Sequence, residues 1–168
     1  MKREIEILFQ LTQTFSEAKQ LLDVSNASAV SEKHTVDDYY YNRKTQQFLP
    51  DDNGELKECL RIRQTEDAAY YAYKEDVFLP DGSWSHSDEY ELEISDADTM
   101  RSALAMQYYE PLVQIDSTKS KYMLDEYEIT VEEVRDLGVI AEIELTTESS
   151  RPVDELKDEI RRKAQSLG

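Results

Sequence analysis

Residue-by-residue alternation of apolar and charged side chains is the feature that most restricts this chain. Ile5, Ile7, Phe9 and Leu11 interleave with Glu4, Glu6, Leu8 and Gln10, and Leu60 and Ile62 interleave with Arg61 and Arg63. Tyr90, Leu92 and Ile94 interleave with Glu89, Glu91 and Glu93, and Ala141, Ile143 and Leu145 with Glu142, Glu144 and Thr146. A period of two places each set on opposite faces of a β-strand, one apolar and one charged. Further strands are predicted over residues 36–43, 69–78, 112–119 and 121–129, for about eight in all. Pro50-Asp51-Asp52-Asn53-Gly54 and Pro80-Asp81-Gly82-Ser83 are turn signals. Most connections are too short for parallel crossovers, so an antiparallel meander is expected.

Helical spacing punctuates the strands. Phe15, Ala18, Leu21 and Leu22 predict a helix over 15–22, and Met100, Ala103, Leu104 and Met106 predict another over 96–108, with Asp96 or Asp98 as its N-cap. Thr130-Val131-Glu132-Glu133 has the form of a capping box for a short helix that Gly138 would end. A last helix starts near Pro152, with Val153, Leu156, Ile160, Ala164 and Leu167 on one face and Asp158–Arg162 and Glu159–Lys163 spaced as i,i+4 pairs on the other. No repeat or linker divides the 168 residues, so one domain over 1–168 is expected.

Thirty-seven acidic against 19 basic side chains give a net charge of −18. Such a field repels nucleic-acid backbones and anionic membranes, which excludes both as partners. Cys59 is the single cysteine, so no internal disulfide forms, and a small buried thiol is its expected role. The charged N-terminus does not read as a signal peptide, and no apolar run approaches the ~18–20 residues that span a bilayer, so a cytoplasmic protein is expected.

A half-buried sheet ordinarily turns its polar face to water. Two features argue instead for an enclosed charged face. The charges sort by sign from strand to strand, and about eight strands suffice to close a barrel. The expected fold is therefore α+β, a closed antiparallel β-barrel of about eight strands with helices outside and charged side chains within. In such an interior Arg61 and Arg63 would fork onto phosphate oxygens, with Lys74 and Lys119 as added point charges. Glu4 with Glu6, and Glu142 with Glu144, offer hard oxygen donors suited to Mg²⁺ or Mn²⁺.

The motifs resemble, in order, those of the CYTH, or triphosphate-tunnel, superfamily. Glu4-Ile5-Glu6 is similar to its ExExK signature, Asp38-Tyr39-Tyr40-Tyr41 to its aspartate-aromatic strand, Leu60-Arg61-Ile62-Arg63 to LRxR, and Tyr73-Lys74 to TYK. Glu89-Tyr90-Glu91-Leu92-Glu93-Ile94 resembles its acidic strand, Lys119 with Tyr122 part of KxRxxY, and Leu137–Glu144 the LGxFxEIE segment. The C-terminal Ala164–Gly168 resembles the helix end of class IV adenylyl cyclases. The resemblance implies a tunnel-shaped antiparallel barrel, dependence on a divalent metal and a triphosphate substrate. It implies metal roles for Glu4, Glu6, Glu132, Glu142 and Glu144. Triphosphate would be held by Arg61, Arg63, Lys74 and Lys119, of which Arg61, Arg63 and Lys74 serve as catalytic groups. Asp38, Glu89, Glu91 and His86 are further candidates, His86 in place of an arginine missing before the acidic strand.

Several positions depart from the family pattern. Leu8 stands where ExExK has lysine, Ser117 where KxR has lysine, Lys119 where KxR has arginine, and Val36 where a glutamine often precedes the aspartate. Lys57 and Lys121 are the remaining candidate substitutes. Three readings follow: a class IV adenylyl cyclase-like enzyme converting ATP to cyclic AMP and pyrophosphate, an inorganic or organic triphosphatase, or a binding module without turnover. The partner in each is a nucleoside triphosphate or tripolyphosphate, and homodimers occur in the family.

Overall fold

A computed structural model describes residues 3–80, 82 and 84–168. In chain order the elements are β1 (Arg3–Gln10), α1 (Phe15–Val24), β2 (Ser28–Asn42), β3 (Glu58–Thr65), β4 (Ala69–Phe78) and β5 (Trp84–Ile94). There follow α2 (Ala97–Met106), β6 (Tyr109–Leu124), β7 (Tyr127–Val134), β8 (Gly138–Thr147) and α3 (Val153–Leu167). The eight strands form one sheet in the order β1-β8-β7-β6-β2-β3-β4-β5. The ladders β1–β8, β7–β8, β6–β7, β2–β3, β3–β4 and β4–β5 are antiparallel.

The expectation of a closed barrel is not met by hydrogen bonds. β1 and β5 are the two edges of the sheet, and no ladder joins them among the described residues. Alternation fixes which face a side chain takes, not whether the outermost strands ladder together, so it could not by itself establish closure.

Two compact units make up the chain: Met1–Lys33 with Ser117–Gly168, and His34–Asp116. In the first, α3 packs on β1 and β8 and α1 packs on β7. Ile5, Leu22, Ile129, Val131, Ile143, Leu156 and Ile160 are buried there. In the second, α2 packs on β3. Its core joins Tyr40, Phe48, Leu60, Ile62 and Leu104, with Phe48 stacked on Tyr109 at 6.0 Å. On β1, β7, β8 and β3 the apolar face lies under a helix, which leaves the charged face on the other side, whereas Tyr90 and Leu92 of β5 are exposed.

Several local expectations change. Residues 130–133 are not a helix but part of β7, where Tyr127, Ile129 and Val131 alternate inward and the backbone pairs with β6 and β8. Pairing on both sides outweighs a local capping pattern. Gly138, at φ +110°, opens β8 after the turn that Asp136 enters at φ 65°. The capping box forms instead at Thr14, whose hydroxyl accepts from the Glu17 amide while Glu17 accepts from the Thr14 amide at 2.8 Å. That bond from the Thr14 backbone holds the Glu17 carboxyl below its usual range.

The two strands expected at 112–119 and 121–129 are one strand, β6, through buried Ser120, whose hydroxyl donates to Glu32 at 3.2 Å. The chain turns at Asp125 and Glu126 instead, Asp125 having φ 55°. On α3 the expected i,i+4 pairs give way to other partners. Asp158 meets Arg161 at 2.7 Å, Glu159 meets Arg151 at 2.8 Å, and Lys163 meets Asp125 at 2.6 Å. Ile160, at the centre of the α3 contact, is fully buried. Ile160→Ala is expected to cost about 2–5 kcal/mol of folding stability through the cavity it leaves. Chemical denaturation followed by far-UV circular dichroism measures the loss, and a cost below about 1 kcal/mol would show that α3 does not depend on this packing.

Candidate functional site

Leu60 and Ile62 turn into the core under α2, so Arg61 and Arg63 stand on the opposite face of β3. Register extends this face across three neighbours. One row runs Asp37, Arg63, Tyr70, Glu93; the next runs Tyr39, Arg61, Ala72, Glu91; the last aligns Cys59, Lys74 and Glu89. Arg61, Arg63, Lys74, Glu89 and Glu91 are thereby brought together as the motifs imply.

Each arginine already has a carboxylate. Arg63 forks onto Asp37, Nε to Oδ1 at 2.7 Å and Nη2 to Oδ2 at 2.8 Å. Arg61 donates from Nη2 to Glu89 at 2.8 Å and to Glu91 at 3.5 Å. Its buried Nε has no hydrogen-bond partner among the described residues. Burial works against the charge on Arg61, but Tyr39, Asp37 and Glu89 outweigh it and raise the pKa. Burial likewise opposes the charge on Arg63, and the bond to Asp37 holds it upward. Two permanent cations are thus fixed on one half-buried face. Cys59, beside Lys74, is half-buried, and desolvation pushes its thiol up, away from the reactive thiolate.

Two candidates lie elsewhere in this unit. Asp38 pairs across the ladder with Ile62, on the helix-covered side. It accepts from Arg101 of α2 at 2.8 and 3.0 Å and from Gln114 at 2.7 Å. Its neighbour Asp37 is the aspartate on the arginine face. His86 has the parity of Tyr90 and Leu92, opposite Val77, and is hydrogen-bonded to the Ser85 hydroxyl at 3.0 Å. It does not share the face of Glu89 and Glu91. Lys57 meets Asp51 at 3.0 Å in a loop.

The other unit holds the carboxylates. Ile5, Ile143 and Leu145 face α3, which places Glu4, Glu6, Glu142 and Glu144 on the opposite face. Glu6 pairs with Glu144, and Glu144 in turn with Glu128 of β7. Leu8 pairs with Glu142, and Glu4 with Thr146. Lys119 meets buried Glu132 at 3.2 Å, and Lys121 meets Glu128 at 2.5 Å. Glu144, in the middle of the row, accepts from Thr146 at 2.9 Å. Its carboxyl is nevertheless pushed up, first by burial and then by Glu4, Glu128 and Glu6. Leu8 and Ser117 lie on this same face, so a lysine at either would have stood among these groups.

A hard divalent cation suits these donors in kind: they are carboxylate oxygens whose mutual repulsion a cation would relieve. Among the described residues, no three acidic, histidine or cysteine side chains are close enough together to hold an ion as they stand. Sequence reasoning missed Asp37 and Glu128. The signal that finds them is parity: each pairs directly with an expected site residue once the ladder register is fixed. No helix among the described residues is long and apolar enough to cross a membrane.

Comparison with known proteins agrees with the fold. A conserved hypothetical protein from Pyrococcus furiosus superposes with a TM-score of 0.76 at 22% identity, over 98% of this chain and 90% of that one. A putative adenylate cyclase from Vibrio parahaemolyticus gives 0.70 at 17% identity, over 98% and 88%. A putative adenylyl cyclase from Hippeastrum, with a dominant triphosphatase activity, gives 0.62 at 14% identity, over 100% and 88%. No curated protein sequence matches the chain. The family model described as "CYTH domain" matches residues 2–168, and on that match the chain belongs to the CYTH family.

Proposed function

We propose that the chain is a metal-dependent, triphosphate-binding enzyme of the class IV adenylyl cyclase type, converting ATP to cyclic AMP and pyrophosphate. The observation that supports this most is the arginine face of β3: two half-buried guanidiniums two residues apart, one with a buried donor still without a partner among the described residues. Arg61 would bind the terminal phosphate oxygens and Lys74 add a point charge beside it. Arg63, fixed by Asp37, would contribute its field without moving. Glu4, Glu6, Glu132, Glu142 and Glu144 remain the candidates for holding Mg²⁺ or Mn²⁺, with Glu128 added by its place in the row. The chemistry that a bound divalent cation supplies is neutralisation of charge on the phosphate oxygens. The nucleophile in this reading is the ribose 3′-hydroxyl.

Hydrolysis is the second reading, favoured by one observation. With Leu8 and Ser117 in the family's lysine positions and Arg61, Arg63 and Lys119 each on a carboxylate, the cations are largely compensated. Attack by water on the terminal phosphate needs no placement of a ribose hydroxyl, so it makes fewer positional demands than a cyclisation.

Three outcomes test these readings. Thermal unfolding with Mn²⁺ and tripolyphosphate should show stabilisation in the parent, lost in Arg61→Ala; at ligand 100 times Kd the linkage is worth about 2.7 kcal/mol. Stabilisation unchanged in Arg61→Ala would remove β3 from the site. In the same samples, cyclic nucleotide formed from ATP supports the cyclase, orthophosphate the hydrolase, and neither over long incubation a binding module.

Glu144 sets a pH dependence. Its folded pKa is raised, so the folded state holds the proton more tightly, and stability falls as pH rises from the ordinary carboxyl value of 4.5 through the raised one. Glu144→Gln should therefore be more stable than the parent at pH 7 and lose that advantage near pH 4. Mn²⁺ should narrow the gap at pH 7 by stabilising the parent, and an equal response of both proteins would separate Glu144 from the cation. Leu8→Lys should raise turnover by about tenfold if the missing charge limits the rate, because single contacts of this kind are worth ~10²–10³. No gain would show that position 8 does not act on the reacting phosphate.

A further inference from the structure

Arg61 and Arg63 are two residues apart, but their carboxylate partners differ in kind. Asp37 is only 2% exposed and gives both oxygens to Arg63. Drawing it away would leave a buried charge without compensation, which is strongly unfavourable. Glu89 and Glu91 are 32% and 37% exposed and each gives a single oxygen to Arg61. When displaced, these two carboxylates can be rehydrated, whereas Arg61, 14% exposed, keeps its charge compensated only if an incoming anion takes their place. Ala72 explains how Arg61 reaches Glu91. It lies between Arg61 and Glu91 in the register, and its methyl group lets the guanidinium pass over β4 to β5.

We infer that Glu89 and Glu91 are specificity-determining residues that make anion binding at Arg61 conditional on a divalent cation, selecting metal-complexed over metal-free polyphosphate. The inference rests on the triphosphate reading above. An incoming phosphate takes Nη2 of Arg61 only by exchange with these two carboxylates. The displaced carboxylates stay on the same face, Glu91 beyond Ala72 in the row of Arg61 and Glu89 beside Lys74 in the next row. Against a metal-free polyphosphate they are repulsive at short range in a half-buried setting. Against a complex whose charge a cation has reduced, the repulsion falls, and the released oxygens become acceptable neighbours for the metal. Glu89 and Glu91 therefore act on which form of the ligand binds, whereas Arg61 acts on whether phosphate binds at all.

Titration calorimetry with tripolyphosphate, once with Mn²⁺ and once in EDTA, tests this on the full chain. The parent should bind at least about tenfold more tightly with Mn²⁺. In Glu89→Gln/Glu91→Gln that ratio should collapse to within about threefold, chiefly because binding in EDTA improves. Both changes keep shape and hydrogen-bonding capacity, and circular dichroism checks the fold. Glu89→Gln and Glu91→Gln singly provide a second arm; the closer partner, Glu89, should move the ratio more. A parent that binds with an unchanged ratio in every variant overturns this inference and leaves the triphosphate reading standing. Binding by the double variant alone also overturns the inference, because the parent is expected to bind when Mn²⁺ is present. Absence of binding by both proteins in both buffers overturns the two together.

Discussion

Burial of the helix-facing side chains sets the register on which every charged residue depends. Ile5 and Ile143 lie under α3, and Leu60 and Ile62 under α2. A one-residue slip in any of these strands would put isoleucine or leucine into water and arginine or glutamate under a helix. The penalty for burying an unpaired charge greatly exceeds what the charged residues gain from one another. Arg61 and Arg63 are thus placed by Leu60 and Ile62, and Glu142 and Glu144 by Ile143 and Leu145. The charged faces follow from the packing and did not select it.

Such placement leaves like charges side by side, and each unit answers this differently. On the arginine face Asp37 absorbs Arg63 completely, and Arg61 is met by two accessible glutamates. The first pair is buried and bidentate, so it fixes geometry; the second is partly exposed, so it can exchange. On the carboxylate face Lys119 and Lys121 meet Glu132 and Glu128. Glu144 is left among Glu4, Glu6 and Glu128, and burial together with their repulsion shifts its carboxyl upward. The arginine face thus holds its acids as partners, while the other holds acids whose field exceeds the lysines beside them.

The strands with one buried and one charged face were legible from alternation alone: β1, β3 and β8 fall where the pattern places them, and β5 falls there too although its Tyr90 and Leu92 are exposed. The first half of β2, residues 28–34, was not, because nearly every side chain in it is exposed and no period appears. Thr130–Glu133 satisfied a local capping rule yet became strand, since backbone pairing on both sides and the inward Ile129 and Val131 outweigh one local motif. Thr14 and Glu17, with the same spacing, do cap a helix because no strand competes for them. Asp37 and Asp38 show the limit most clearly. Adjacent in sequence, they point to opposite faces. Only long-range pairing reveals which aspartate belongs to which face: Asp37 stands opposite Arg63 of β3, and Asp38 meets Arg101, 63 residues away on α2.

A chain with net charge −18 can hold an anion only where cations outnumber nearby acids or where acids can be moved or neutralised. The first condition fails on β3, where Asp37, Glu89 and Glu91 meet two arginines. It fails again at position 8, where Leu8 gives the edge strand an apolar group opposite Glu142 instead of an ammonium. On the proposed reading the second condition would carry the chemistry: glutamates that can be rehydrated when a phosphate replaces them at Arg61, and a divalent cation that would lower the charge of what replaces them. Loss of fixed positive charge and retention of the acidic strands would then be two sides of one arrangement, in which much of the affinity for phosphate would come with the metal.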